Sequence, residues 1–219
     1  MTSGPISRKE SQQIDKTAIE RFGFPGCVLM ENAGRGCVDL LEKLRVRGPV
    51  LIAAGHGNNG GDGLVIARHL ALRGHECRVA MLAPPEKLTG DALTAHRMLQ
   101  PCGVPKITLG PDPTGELEGF AAGCEWIVDA LLGAGASGDP RAPYDAVIRW
   151  MNQQPARRLA IDLPSGLDCD TGQPGKPTFR ADHTFTFVAR KLGFDQPAAD
   201  EYLGEVHVVG IGFPFPVAP

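Results

Sequence analysis

Nowhere in this sequence does a hydrophobic run reach the length of a bilayer-crossing helix, so no transmembrane segment is expected. The opening stretch, MTSGPISRKE, lacks the apolar core of a secretory signal. Neither sign of charge is in marked excess. The 22 basic and 25 acidic side chains leave a formal net charge of -3, without the basic footprint that a nucleic-acid partner requires. The six cysteines (Cys27, Cys37, Cys77, Cys102, Cys124 and Cys169) include no C-x-x-C pair and are scattered through apolar segments. That fits reduced, buried thiols in a cytoplasmic chain better than a disulfide framework. The histidines (His56, His69, His75, His96, His183 and His207) form no H-E-x-x-H pattern, which argues against a zinc site. Internal repeats and low-complexity segments are lacking as well.

A hydrophobic fraction of 42% over 219 residues suits one globular domain covering 1–219. Ser7 and Glu10 form a capping box ahead of a helical stretch, Arg8–Phe22, that Gly23 and Pro25 terminate. A second helix is expected over Val28–Leu44, where Leu29, Ala33, Cys37, Leu40, Leu41 and Leu44 fall on one stripe. Short apolar runs then alternate with helical segments. The runs are Val50–Ala54, Cys77–Leu82, Lys106–Leu109, Trp126–Ala130, Leu159–Asp162, His183–Val188 and Val206–Ile211. The helical segments are Asp62–Arg73, Gly90–Leu99, Leu117–Ala122 and Tyr144–Gln153. This alternation implies βαβ crossovers and a largely parallel sheet with helices on both faces. The Gly/Pro-rich stretch Leu192–Gly204 argues against a regular crossover between the last two runs. The two amino-terminal helices lie outside the alternating unit and are expected to clasp the sheet edge and contribute to a dimer.

In an open parallel sheet, ligands bind beyond the carboxyl ends of the strands. Four of the segments that follow strands carry reactive groups: HGNNGGDG after Ala54, the stretch from Asp129 through Asp139, Asp162 with the turn at Ser165, and ARKLGF with Lys191. All four should project to one edge, forming a crevice with carboxylates, an amine, a hydroxyl and carboxamides. Gly55, Gly57 and Gly60 fit the dinucleotide fingerprint G-x-G-x-x-G, but the second strand ends Leu82-Ala83-Pro84 with no acid for a ribose. Asp62 is expected to open the following helix and satisfy its dipole. Both points disfavour a hydride-transfer dehydrogenase. The carboxamide of Asn58 or Asn59, the carboxylate of Asp129 and the hydroxyl of Ser165 are hard oxygen donors. They suit a large monovalent cation such as potassium better than magnesium.

The segments GNNGGDG (Gly57–Gly63), DALLG (Asp129–Gly133), GDPR (Gly138–Arg141), IDLPSGLD (Ile161–Asp168) and ADHTFTFVARKLGF, in this order, resemble the NAD(P)H-hydrate epimerase family, the YjeF amino-terminal domain. The likeness runs from Met30 to the VVGIG strand. It implies a Rossmann-like three-layer α/β/α sandwich that forms a homodimer and interconverts the R and S forms of hydrated NADH and NADPH. By the same resemblance Asn58, Asn59, Gly60, Gly61 and Asp62 hold the substrate together with Gly133, Ala134, Gly135, Ala136, Ser137, Gly138 and Asp139, and Asp162 touches it. Asn59, Asp129 and Ser165 are implied to bind potassium (K+), and Lys191 matches the lysine that works beside Asp162. Arg190 stands where the family commonly has proline. A separate dehydratase is expected to act on the product.

The reacting centre of such a substrate is a hemiaminal carbon with a hydroxyl beside a ring nitrogen, and either elimination of water or ring opening moves a proton there. Asp162 is the expected proton-transfer residue, with Lys191 its partner or an electrostatic stabiliser. Bland roles remain open on the residues alone. Asp162 could cap a turn, Asp129 pair with a lysine, Ser165 be a turn hydroxyl, Asn58 and Asn59 mark a tight turn, and Lys191 be solvated. A non-catalytic nucleotide-binding or dimerisation module of the same fold is the alternative reading.

Overall fold

The computed structural model describes residues 4–215. Its strands are β1 (Val50–Ala54), β2 (Cys77–Met81), β3 (Lys106–Thr108), β4 (Trp126–Ala130), β5 (Arg157–Ile161), β6 (His183–Phe187) and β7 (Glu205–Val209). Its helices are α1 (Arg8–Glu20), α2 (Gly26–Lys43), α3 (Asn58–Leu72), α4 (Gly90–Leu99), α5 (Pro113–Phe120), α6 (Tyr144–Gln153) and the single turn α7 (Asp200–Leu203). The strands form one sheet in the order β3-β2-β1-β4-β5-β6-β7, and every pairing is parallel.

The order follows from burial. All residues of β1 and β4 are buried, so these strands need cover on both faces and take the centre of the sheet. Along β1 the side chains divide with period two. Val50, Ile52 and Ala54 enter the core made with α2, α3 and α4, while Leu51 and Ala53 enter the core made with α5 and α6. The result is the expected three-layer α/β/α sandwich. Chain direction across the sheet reverses between β1 and β4, which opens a crevice above their carboxyl ends.

Several expectations are corrected. The sheet is parallel throughout, including β7, although the β6–β7 connection is irregular as expected, built of two 3-10 turns and α7. The fifth helix starts at Pro113 rather than Leu117, with proline in its first turn, where its missing N–H costs nothing. Helix α3 starts at Asn58, four residues earlier than Asp62. The pair Gly60-Gly61 reads locally as a turn, but tertiary packing overrides that propensity. Of the two amino-terminal helices, α1 lies against Ala189, Ile211 and Phe213 near the β6–β7 margin, whereas α2 is part of the main core through Met30, Cys37, Val38 and Leu41. The capping box on α1 is present, Ser7 and Glu10 bonding reciprocally. Among the cysteines, all six are free; Cys37, Cys77 and Cys169 are buried and the other three half-buried.

Helix α3 approaches the sheet closely because of its glycines. A Cβ on Gly63 would lie 2.6 Å from Ala130 Cβ and 3.1 Å from Ile52 Cγ2. Gly63→Ala is therefore expected to lower the unfolding free energy by about 1–3 kcal/mol through overpacking. Gly119→Ala, on exposed α5 where nothing lies within 4 Å, should leave stability unchanged or raise it by about 0.4–1 kcal/mol. Urea denaturation midpoints of the two variants check the contrast.

Candidate functional site

Beyond β1 the chain passes through Gly55, His56 and Gly57 and enters α3 directly. The turn is too tight for side chains at two positions. A Cβ on Gly55 would stand 2.1 Å from the Leu131 carbonyl oxygen, and one on Gly60 would stand 2.0 Å from the Gly55 carbonyl oxygen. Gly57 occupies the N-cap position and supplies no capping side chain, and the first turn contains no acid. The expectation that Asp62 neutralises the helix dipole is thereby overturned. Asp62 sits one turn into α3, so the amino-terminal N–H groups point at the crevice without a capping carboxylate. Asn58 is exposed there. Asn59 is buried, and neither its carboxamide oxygen nor its nitrogen has a hydrogen-bond partner. His56 is exposed and bonds Tyr144 Oη through Nδ1 at 2.7 Å.

At the end of β4, Asp129 is wholly buried. Its carboxylate accepts hydrogen bonds from Leu131 N at 3.1 Å, Ser165 N at 2.8 Å and Ser165 Oγ at 2.7 Å, and Ser165 Oγ accepts one from Leu132 N at 3.0 Å. No lysine or arginine pairs with it among the described residues, so Asp129 does not take the lysine-paired role left open by the sequence. Burial outweighs the three hydrogen bonds and raises its pKa to about 6.

The end of β5 carries Asp162, the first residue past the strand, with φ of 67°. That left-handed conformation is uncommon for a side-chain-bearing residue and tends to be kept where a site over-determines it. Its backbone N–H still bonds Phe185 O at 2.8 Å, tying the kink to β6. One carboxylate oxygen accepts from Ala134 N at 2.9 Å; the other lies 3.1 Å from Lys191 Nζ. Lys191 is completely buried and also donates to the Phe187 carbonyl at 3.0 Å. Lys191 is thus neither solvated nor remote. The side chain of Arg190 turns outward to Asp195 and over the Phe194 ring, so the arginine at this position leaves the lysine's aim intact.

Two elements supporting the pair lie far away in sequence. Ile6 forms a parallel bridge to Lys191, its N–H bonding Arg190 O at 2.8 Å and its carbonyl accepting from Leu192 N at 2.9 Å. Arg8 then fastens the head of α1 to Asp168 and Asp170 at 2.8 and 2.7 Å. Along α1, Asp15 comes near enough to Asp162 and Lys191 to feel both. Its side chain is open to solvent at the rim, yet the surrounding protein, then the Asp162 charge, push its pKa up to about 6. Asp62, buried, is held well above the ordinary carboxylate range by burial first and then by Asp162 and Asp15. Asp15 and Ile6 were missed by sequence reasoning. An acid beside the buried Ile14 is the only local hint of the former, and nothing local marks the latter.

The remaining predicted residues form the crevice wall. Gly133 stands between Asn59 and Asp162: a Cβ there would lie 3.2 Å from Asn59 Cβ and 3.3 Å from Asp162 Oδ2. The loop then runs through buried Ala134, exposed Gly135, half-buried Ala136, and exposed Ser137, Gly138 and Asp139. Asp139 accepts from Lys176 N at 2.9 Å. This loop borders a cavity of about 270 Å³ with Leu163, Leu167 and Thr171 on its far wall. None of Asn59, Asp162 and Lys191 lines it, so the cavity adjoins the ion pair without enclosing it. Gly61 faces inward, where a Cβ would meet Met30 and Ala92, so its contacts are with α2 and α4.

Three comparisons with known proteins identify the family. The family model described as YjeF-related protein N-terminus matches residues 26–193. The chain is 43% identical to a NAD(P)H-hydrate epimerase of Rhodopirellula baltica over 96% of this chain and 85% of that protein. It is 42% identical to one of Pirellula staleyi over 94% of this chain and 92% of the relative. A bifunctional NAD(P)H-hydrate repair enzyme of Salinibacter ruber is 38% identical, with the match spanning 40% of that longer protein. Among solved structures, the crystal structure of yeast YNL200c superposes with a TM-score of 0.78 at 25% identity, covering 94% of this chain and 87% of the other. By its sequence and its fold, the chain belongs to the family of YjeF-related amino-terminal domains.

Proposed function

We propose that this protein is an isomerase, an NAD(P)H-hydrate epimerase, interconverting the R and S forms of hydrated NADH and NADPH. The observation that carries the reading is the Asp162–Lys191 pair at 3.1 Å on the crevice floor, beside the uncapped amino terminus of α3. Two relatives that share more than two fifths of its residues and are named for this activity support it over a non-catalytic binding module. The amino terminus of α3, through Asn58, Asn59 and Gly60, would receive the substrate's anionic groups, whereas the Gly61 N–H is already bonded to the Gly57 carbonyl at 3.1 Å. The loop Gly133–Asp139 would cover the opposite side.

Lys191 donates to Phe187 O and Asp162 and has Ala189 O at 3.5 Å, so its three protons are already directed. We assign it an electrostatic and positioning role, holding the Asp162 carboxylate in place. Asp162, partly accessible and held by Ala134 N, would take the proton from the hydroxyl or water at the hemiaminal carbon. Asp62, whose pKa is pushed well up by burial and then by the charges of Asp162 and Asp15, would supply the complementary proton. An acid–base set of this kind typically contributes about 10²–10⁴-fold per group.

Asn59, Asp129 and Ser165 fit a potassium ion. Asp129 is a buried carboxylate with no cationic partner, and the Asn59 carboxamide has none at all, so a cation would compensate both. When bound, K+ would supply fixed positive charge that orders these loops and helps hold phosphate. We further propose a homodimer through the carboxyl end of α1 and the start of α2, where Ile19, Phe22 and Val28 are exposed hydrophobics. The product would pass to a dehydratase, the second activity being suggested by the relatives named bifunctional. Six free thiols fit the reducing cytoplasm. No helix among the described residues is long and apolar enough to cross a membrane.

A coupled assay tests the reading: the R-hydrate is supplied with an S-specific dehydratase, and recovery of reduced cofactor is followed. Wild-type protein should accelerate recovery; an unchanged rate rejects the activity. Asp162→Asn should lose about 10²–10⁴-fold in turnover while still binding dinucleotide by calorimetry. Ser165→Ala should flatten the potassium dependence of the rate. Asp15 gives a pH signature. Its folded-state pKa of about 6 lies above the ordinary aspartate value of 3.8, so the folded chain binds this proton more tightly and its ionisation weakens the fold as pH rises from about 4 to about 6. Asp15→Asn should reduce that loss, measurable as urea midpoints across the interval.

A further inference from the structure

The opposite end of the sheet carries a second convergence of side chains. In the parallel β6–β7 pair, His183 is opposite Glu205 and Phe185 is opposite His207. Since His183 begins β6 and Glu205 begins β7, this is the amino-terminal edge, away from the crevice. One ligand atom from each of His183, Glu205 and His207 lies within 4.8 Å of the other two, the sole such grouping of histidine, cysteine and acidic side chains among the described residues.

The geometry does not read as ordinary hydrogen bonding. His183 Nδ1 is 3.6 Å from one Glu205 oxygen and His207 Nε2 is 3.5 Å from the other, beyond normal hydrogen-bond range. Both nitrogens are buried and have no other hydrogen-bond partner. Leaving a polar atom buried and unsatisfied is costly, and an ion is one of the recognised remedies. Two donors each about 2.0–2.2 Å from a tetrahedral ion stand roughly 3.4 Å apart; the His–Glu separations are close to that. The rings are held in place by aromatic neighbours. His183 stacks on Trp126 with centroids 6.0 Å apart at 25°, and His207 stands edge-on to Phe185 at 5.3 Å. The nearby guanidinium of Arg157 is engaged over the other ring of this stack, Trp126, at 5.4 Å.

We propose that His183, Glu205 and His207 form a binding site for one first-row divalent transition cation of zinc type. Two imidazole nitrogens and a carboxylate oxygen are the donor set such ions take, and calcium or magnesium would want more oxygens. Glu205 is exposed for most of its side chain, so the carboxylate forms the solvent side of the grouping and the two imidazoles its buried side. The histidine spacing in the sequence argued against zinc because no helical H-E-x-x-H exists; here strand register does what a helical repeat does elsewhere. An ion at this place would join the edge strand β7 to β6 and stabilise the folded chain by mass action.

Chelator-treated full-length protein is titrated with Zn2+ by calorimetry and with Co2+ by visible absorption, and melting is measured with and without Zn2+. Wild-type protein should take up one equivalent that raises the melting temperature. His207→Gln should weaken that uptake by more than the about 10–100-fold typical of losing an outer-shell partner, and Glu205→Gln should weaken it as well. Glu205 is exposed, so its variant carries the test if His207→Gln fails to fold. Turnover in the coupled assay should be unaltered in either variant. Absence of saturable uptake by the wild type overturns the proposal, as does uptake that is the same in the variants, which would place the ion on the free cysteines instead.

Discussion

The interaction on which the crevice depends is the buried ion pair between Lys191 and Asp162. A fully buried ammonium is tolerated only when opposite charge and carbonyl oxygens replace its water, and removing one partner of such a pair costs about 3–5 kcal/mol. The fold meets that demand with backbone from several elements: the Phe187 carbonyl at the end of β6, Ala134 N from the β4 loop, and the Ile6 bridge from the amino terminus. The left-handed φ of Asp162 and the neighbouring one of Val188, 69°, lie where these elements meet. Strain at two adjacent strand ends is sustained because each is bonded across, Asp162 N to Phe185 O and Val188 N to Val209 O.

The sheet supplies the coordinate frame for this pair. Parallel strands deliver every loop after β1, β4, β5 and β6 to one side, and the reversal between β1 and β4 keeps helices from covering the gap. Into that gap α3 brings its amino terminus, at a distance set by glycines that admit no Cβ against Gly55 and Ala130. The fingerprint-like glycines therefore serve close packing of helix on sheet as much as access for a ligand. The same packing buries Asn59 and Asp62 within reach of the floor, so a phosphate-style turn has been combined with polar side chains that a dinucleotide fold leaves out.

Much of this was legible in the sequence, and the limits have physical reasons. Strand positions were readable because the central strands are apolar at every residue, and β1 and β4 fall where expected. Loops after parallel strands must share an edge, so Asp129, Asp162, Ser165 and Lys191 could be gathered without coordinates. The start of α3 could not, since Gly-Gly opposes helix locally and only contacts with α2, α4 and the sheet overcome it. Asp15 and Ile6 were invisible for another reason: their partners lie about 150 or more residues away, and α1 shows only its own capping and its own stripe. The His183–Glu205–His207 grouping likewise depends on strand register, which periodicity does not specify.

Charge balance links the site's chemistry to its architecture. Asp15, Asp62, Asp129 and Asp162 are carried to one end of the sheet, and Lys191 is the cation paired with them there. Ionising all four would leave uncompensated negative charge in a partly dry space, which the raised pKa values of three of them express. Two remedies are available, a retained proton or a bound cation, and the surroundings separate them. Asp129 is wholly buried and held by two backbone N–H groups and the Ser165 hydroxyl, a setting poor for exchange with substrate and the one to which the proposed cation is assigned. Asp62 is buried without such donors among the described residues, and burial first, then the Asp162 and Asp15 charges, favour its protonated form. On the reading proposed here, the excess of acids is itself the device: burial and crowding raise the proton affinity of Asp62 beside an Asp162 carboxylate that Lys191 holds in place.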